Sequence, residues 1–215
     1  MKKEDLEKKT AQVCDLVMNR MTDGKRTIVG VAGAPASGKS TLAAKVVDHL
    51  NANGNGDAPL AALLPMDGYH LDNRILEKRG LLARKGAPET FDAVGFCEAV
   101  KGLASGSPCT FFPSFDRTLD IAIAGAIEIT PATHVIVVEG NYLLLKSSPW
   151  NSLADHFTTT IFINPGLGIL TARLNKRWLR HGLDPEAAAK RTETNDLVNA
   201  RLVLSQSAKA DLELS

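Results

Sequence analysis

Apolar residues fall into two kinds of run along this chain. The runs Thr27-Ile28-Val29-Gly30-Val31-Ala32, His134-Val135-Ile136-Val137-Val138-Glu139-Gly140 and residues 158–163 lack the alternation of a half-wet strand. They predict strands buried on both faces of a parallel sheet. Another buried run, Leu60-Ala61-Ala62-Leu63-Leu64-Pro65-Met66, ends at Asp67. Between these lie segments of helical spacing. Leu6, Val13, Leu16 and Val17 predict an amphipathic helix over residues 4–22, stopped by Asp23-Gly24-Lys25. Helices are also predicted over residues 41–50, 92–105 and 167–181, and Asp184-Pro185-Glu186 starts a last one running to about residue 207. Asn53-Gly54-Asn55-Gly56-Asp57 reads as a surface turn. Residues 67–92 are polar and punctuated by glycine; so long a connection is often functional. Residues 108–130 read as extended segments around Gly125, a hairpin beside the main sheet. The alternation implies an α/β, three-layer fold: a mainly parallel sheet with helices on both faces.

Length and composition narrow this picture. The 215 residues suit one domain with a small insertion at about 108–130. Hydrophobic residues, at 44%, are enough for a sizeable core, and at 5% aromatic the packing must be aliphatic. With 25 basic and 24 acidic residues, the balance gives no electrostatic case for nucleic acid or an anionic membrane. Cys14, Cys97 and Cys109 match no zinc or redox spacing, so a reducing compartment is expected. The charged start of the chain is unlike a signal peptide, and no apolar run has membrane-spanning length. A cytoplasmic location is the expectation.

Chemistry enters at Gly33-Ala34-Pro35-Ala36-Ser37-Gly38-Lys39-Ser40-Thr41, which meets the pattern Gly-x4-Gly-Lys-[Ser/Thr] between a predicted strand and a predicted helix. Glycines let successive N–H groups turn inward on phosphate oxygens, and the helix adds its positive end. Lys39 can reach the β- and γ-phosphates of a nucleoside triphosphate, and the Ser40 hydroxyl can ligate Mg²⁺. A chance glycine turn would not carry strand, loop and helix in this order. The loop alone separates neither kinase from hydrolase, but a guanine-reading Asn-Lys-x-Asp is absent, since Asn175-Lys176-Arg177-Trp178 lacks the aspartate.

Other residues gather at predicted strand ends, where ligands bind in doubly wound sheets. Asp67 could take a proton from a substrate hydroxyl, or it could cap a turn. Glu139 could hold a metal or its water, or simply end a strand in solvent. Arg173, Arg177 and Arg180, spaced by four and three, share a helix face. That face suits a lid over residues 173–191 that closes on a triphosphate, and equally a solvated basic surface. Asp116 could bind substrate hydroxyls or close a turn. His70 could contact substrate, orient Asp67 or bond locally. Tyr69 lines an acceptor pocket or packs, Trp178 reads as packing, and Asn195-Asp196 lies near an adenine or caps backbone.

Taken in order, Gly33-x4-Gly38-Lys39-Ser40, Met66-Asp67-Gly68-Tyr69-His70, Pro88-Glu89-Thr90-Phe91-Asp92, Pro113-Ser114-Phe115-Asp116, Val138-Glu139-Gly140 and Arg173-Leu174-x2-Arg177-x2-Arg180 resemble the phosphoribulokinase/uridine kinase family, which includes bacterial-type pantothenate kinase. The segments 67–73, 79–81 and 84–92, with Asn195-Asp196 and Asn199, are similar to a subgroup labelled nucleoside/nucleotide kinase family or "putative fructose transport system kinase". The resemblance implies a P-loop fold and ATP- and Mg²⁺-dependent phosphorylation of a hydroxyl on a sugar, nucleoside or pantothenate-like metabolite. It implies Asp67 as base, Lys39 and Ser40 on phosphate and magnesium, Glu139 near the metal, the three arginines in the lid and Asp116 on sugar hydroxyls. This chain departs from uridine kinases at Gly68, Tyr69 and Arg117. Arg117 suggests an anionic or strongly polar substrate.

The expected partner is therefore a small-molecule hydroxyl acceptor, with no nucleic acid and no membrane, and a homodimer stays open. Two rival expectations are a non-catalytic ATP- and metabolite-binding regulator of sugar uptake, and a simple ATPase.

Overall fold

The computed structural model describes residues 3–54, 58–106 and 110–215. Asn55, Gly56 and Asp57 of the predicted turn, and Pro108 and Cys109, lie outside the described residues. Five parallel strands form the main sheet: β1 (Thr27–Gly33), β2 (Ala61–Pro65), β5 (Val135–Gly140), β6 (Thr159–Ile163) and β7 (Leu212–Leu214), in the order β2-β5-β1-β6-β7. A separate antiparallel pair, β3 (Thr110–Asp116) and β4 (Ile121–Ile129), is the predicted hairpin.

The unbroken apolar runs have the predicted cause. Every residue of β1 and β5 is buried, because the sheet is covered twice. Val29, Val31, Val135 and Val137 face a core built with α1 (Lys3–Arg20) and α2 (Lys39–Ala52). Ile28, Ala32, Ile136 and Val138 face the opposite core. That core takes Phe96 and Val100 of α4 (Ala93–Ala104), Leu170 and Leu174 of α5 (Leu167–Arg180), and Ala200 and Val203 of α7 (Leu197–Gln206). Each fully buried Val or Ile contributes roughly 1.5–3 kcal/mol, so the central strands anchor whatever their ends carry.

Three expectations are corrected and one strand is added. The run at residues 60–66 is not sealed on both faces: β2 is an edge strand with only Ala61 and Leu64 buried. The hairpin turns at residues 117–120 rather than around Gly125, which lies inside β4 opposite the irregularity between Phe112 and Ser114. The last helix is interrupted: α6 (Pro185–Arg191) passes through a π-helical turn, Thr192–Asp196, before α7. β7 was not anticipated. The polar stretch 67–92 folds into short turns around α3 (Asn73–Lys78), which Asp72 caps by accepting from the Arg74 N–H. No helix among the described residues is long and apolar enough to cross a membrane.

Candidate active site

Register places the chemistry. Val31 pairs with Glu139, and Glu139 pairs in turn with Pro65, so the ends of β1, β5 and β2 stand side by side. The glycine loop leaves β1, Glu139 ends β5, and Asp67 follows β2 by two residues. All three lie at the carboxyl edge of the sheet, where this fold class binds ligands.

The loop turns because Ala36 (φ 64°) and Gly38 (φ 101°) adopt left-handed backbone. At Gly33 space decides: a Cβ there would stand 2.7 Å from the Ile163 carbonyl oxygen. Lys39 and Ser40 open α2. Ser40 Oγ donates to Glu139 Oε1 at 3.1 Å. Glu139 is 4% exposed, and among the described residues its Oε2 has no partner. Burial pushes its carboxyl up, opposed by the nearby Lys39 charge. Burial also holds Lys39 below the usual lysine value, opposed by Glu139 and then Asp67. A buried carboxylate oxygen without a partner, beside a hydroxyl, is a hard-oxygen donor pair of the kind Mg²⁺ takes together with phosphate oxygens. Among the described residues no cluster of three His, Cys, Asp or Glu side chains could hold a metal alone.

Asp67 lies in a 3₁₀ turn, Met66–Tyr69, that the hairpin sits upon. A Cβ at Gly68 would be 2.2 Å from the Pro113 carbonyl oxygen, so only glycine admits the hairpin this closely. From the hairpin turn, Arg117 Nη2 donates to Asp67 Oδ2 at 2.6 Å. Asp120 of the same turn accepts from Lys85 Nζ at 2.8 Å and from Asn73 Nδ2 at 2.9 Å. His70 is held between Phe91 and Phe115, with Nδ1 2.8 Å from the Asp67 carbonyl oxygen. Burial keeps its imidazole below the usual range.

The arginine helix α5 turns Leu170 and Leu174 to the core and its basic face to the cleft. Arg173 Nη1 donates to the carbonyls of Ala36 (3.1 Å) and Ser37 (2.9 Å), tying the helix to the phosphate loop. Arg177 is half-buried, and burial lowers its pKa, as does the Arg117 charge. Arg180 is exposed at the cleft rim.

A cleft of about 1440 Å³ joins these parts, lined by Gly38, Lys39, Ser40, Asp67, Arg117 and Arg177 among others. Pro35, Ala36, Thr41, His70, Arg173 and Arg180 also line it, while Ala34 is buried in the core behind the loop. Gly33, Ser37 and Glu139 are buried and do not line it, and Asp116 and Tyr69 lie elsewhere. Asp116 Oδ1 accepts from the Thr118 and Leu119 N–H groups and closes the hairpin turn. Tyr69 packs edge-on against Phe96, and burial pushes its hydroxyl up to about 12.

The cleft also holds residues to which the sequence reading gave no role, Asn73, Lys85, Phe91, Phe115, Asp120 and Asn141, and Arg191 of the predicted lid. Asn73, Lys85, Phe91 and Phe115 stood in the segments that carried the resemblance, the one signal that pointed to them. Trp178 packs as expected, with Arg177 and Arg191 against its ring, and its Nε1 donates to Asp196 Oδ2 at 2.5 Å. Asn195 and Asn199 accept from the two Nη atoms of Arg84.

Comparison with known proteins agrees with this geometry. No family model matches the chain. Uncharacterized protein YggC of Escherichia coli (strain K12) is 35% identical over 188 residues, 87% of this chain and 77% of that protein. The Schizosaccharomyces pombe protein named "Putative uridine kinase C227.14" is 30% identical over 197 residues, 88% of this chain and 83% of that protein. The crystal structure of a "putative fructose transport system kinase" from Silicibacter sp. TM1040 is 44% identical and superposes with a TM-score of 0.89, covering 96% of this chain and 98% of that one. On these likenesses the chain belongs to the phosphoribulokinase/uridine kinase family of ATP-using P-loop kinases.

Proposed function

We propose that the chain transfers the γ-phosphoryl group of ATP to a hydroxyl of a small metabolite of the sugar, nucleoside or pantothenate-like kind. One observation carries this reading: Asp67 follows β2 into the same cleft as the phosphate-loop Lys39, and its charge acts on Lys39. A non-catalytic regulator has no use for a base so placed; a plain ATPase would differ by hydrolysing ATP at a rate no acceptor alters.

Loop N–H groups and Lys39 hold the β- and γ-phosphates. Ser40 and Glu139 would hold Mg²⁺, which when bound supplies positive charge against the phosphate oxygens. The acceptor hydroxyl gives its proton to the Asp67 carboxylate as its oxygen forms a bond to the γ-phosphorus. The bond from that phosphorus to the β–γ bridging oxygen breaks, and ADP leaves. Arg177 and Arg180 face the transferring group from α5 and offset its charge. Arg173, bonded to two loop carbonyls, positions the loop rather than the phosphate. Closure of α5 and α6 over the cleft keeps water from competing with the acceptor.

The test is a screen of alcohol acceptors with ATP and Mg²⁺, read as acceptor-dependent ADP formation. The reading expects at least one sugar, nucleoside or pantothenate-like alcohol to raise ADP formation far above the rate without acceptor. Rapid hydrolysis that no acceptor alters would point to an ATPase instead.

A further inference from the structure

Arg117 stands apart from the other cations of the cleft. Lys39 belongs to the phosphate loop, and Arg173, Arg177 and Arg180 come from α5. Lys85, on the acceptor side, is satisfied by Asp120 and by Asn73 Oδ1 at 2.6 Å. Arg117 reaches in from the opposite wall, on the hairpin turn. Among the described residues its guanidinium makes one hydrogen bond, to Asp67, although it carries five N–H donors in a fork suited to a carboxylate or phosphate. Its side chain is 55% exposed against 22% for Asp67, so the pair opens to the cleft rather than to the core.

The placement is built, not incidental. Asp116 closes the turn from within. Asp120 fastens it to Asn73 and Lys85. The Pro113 carbonyl sits on Gly68, next to Asp67, with no room for a side chain between. Three separate contacts therefore fix the turn that carries Arg117 beside the carboxylate that is to accept a proton. A base held this way has an oxygen occupied. A second anion in the acceptor pocket would compete for the guanidinium and leave that oxygen to the acceptor hydroxyl.

Resting on the kinase reading above, we propose that Arg117 reads an anionic group, phosphate or carboxylate, on the acceptor, and that seating this group draws the guanidinium off Asp67. The substrate class is then a hydroxylated metabolite that already bears a negative charge. A neutral sugar or nucleoside would leave Arg117 on the base. The step moves no covalent bond; one ion pair is exchanged for another.

The test separates this from the kinase reading. Protein saturated with Mg²⁺ and a non-hydrolysable ATP analogue, which fills the phosphate loop, is titrated calorimetrically with inorganic phosphate and, separately, with glycerate. Wild type is expected to bind at least one of them. Arg117→Gln should bind it on the order of tenfold more weakly, the worth of one charge-assisted hydrogen bond, with its affinity for the analogue changed less than about threefold. Arg117→Lys, which keeps the charge but loses the fork, should fall between. The phosphate and glycerate arms tell which anion the fork prefers. No anion bound by nucleotide-loaded wild type, equal binding by Arg117→Gln, or a matching loss of analogue affinity would each overturn the proposal; the last would mean that Arg117 serves the nucleotide. Turnover of neutral acceptors without anion binding would sink this proposal and leave the kinase reading standing. Anion binding at Arg117 without turnover of any acceptor would overturn the kinase reading, and with it the acceptor role proposed for Arg117, leaving only an anion site.

Discussion

Replacing Gly68 by alanine adds one methyl group at the seam between the proposed base and the hairpin. That methyl would lie 2.2 Å from the Pro113 carbonyl oxygen and 2.7 Å from its carbon. Relaxed contact needs roughly 3.5 Å, so the seam is short by about 1.3 Å. The obstacle is backbone, not the tip of a flexible side chain, and the hairpin itself must lift. Overpacking of this kind costs about 1–3 kcal/mol. The functional loss should be larger in proportion, because the hairpin turn carries Arg117 and Asp120. A misplacement of about 1 Å can cost ~10²-fold in rate. Urea unfolding measures the first effect as a lower midpoint at unchanged slope. Acceptor-dependent ADP formation measures the second. Gly168→Ala is the control, since a Cβ there meets nothing within 4 Å in the first turn of α5. It should stabilise by up to about 1 kcal/mol. If Gly68→Ala unfolds at the wild-type midpoint and turns over at the wild-type rate, the hairpin does not bear on the base as argued.

Lys39→Met should lower phosphoryl transfer by at least ~10²-fold in single-turnover assays, since it removes the loop's charge on the phosphates; a rate near wild type would contradict its role. Glu139→Gln should raise, by on the order of tenfold, the Mg²⁺ concentration that half-saturates thermal stabilisation with ATP, because the partnerless Oε2 is lost as an anionic ligand; an unchanged midpoint would place the ion elsewhere. His70 is held below the ordinary imidazole value of about 6.5 chiefly by burial, so the unfolded chain takes up its proton first as pH falls. Its contribution to stability is whole above about pH 6.5 and drains away below it, and His70→Gln should flatten that part of a urea-midpoint-against-pH curve. Arg84→Ala would orphan Oδ1 of Asn195 and of Asn199, residues 3% and 2% exposed, at about 1 kcal/mol or more each by urea unfolding.

Where one chain segment determines its own structure, the sequence was readable. The strands β1 and β5, the phosphate loop and the basic face of α5 are set by local spacing and by burial that any partner would impose. The residues misread are those settled by a distant partner. Gly125 looks like a turn because glycine permits one, yet the turn spans residues 117–120, where Asp116 can accept two N–H groups. The pattern from Pro185 onward is continuously helical, and nothing in it announces that the turn Thr192–Asp196 must widen. That turn buries Asn195 against Arg84, a partner 111 residues away. β7 is three residues long, too short for any periodicity, and is held by pairing with β6. Asp67 could be picked as a base candidate from its strand end. Its partner Arg117 lies 50 residues on, across a hairpin whose seating depends on the missing side chain of Gly68.

The central claim is that Asp67 makes this phosphate-binding cleft a kinase site. The most direct measurement uses ATP labelled in its γ-phosphate with an acceptor found by the screen, comparing wild type and Asp67→Asn. Label should appear on the acceptor with wild type. With Asp67→Asn the transfer rate should fall ~10²- to 10⁴-fold while analogue affinity stays within about threefold. Transfer at an undiminished rate by Asp67→Asn would contradict the account.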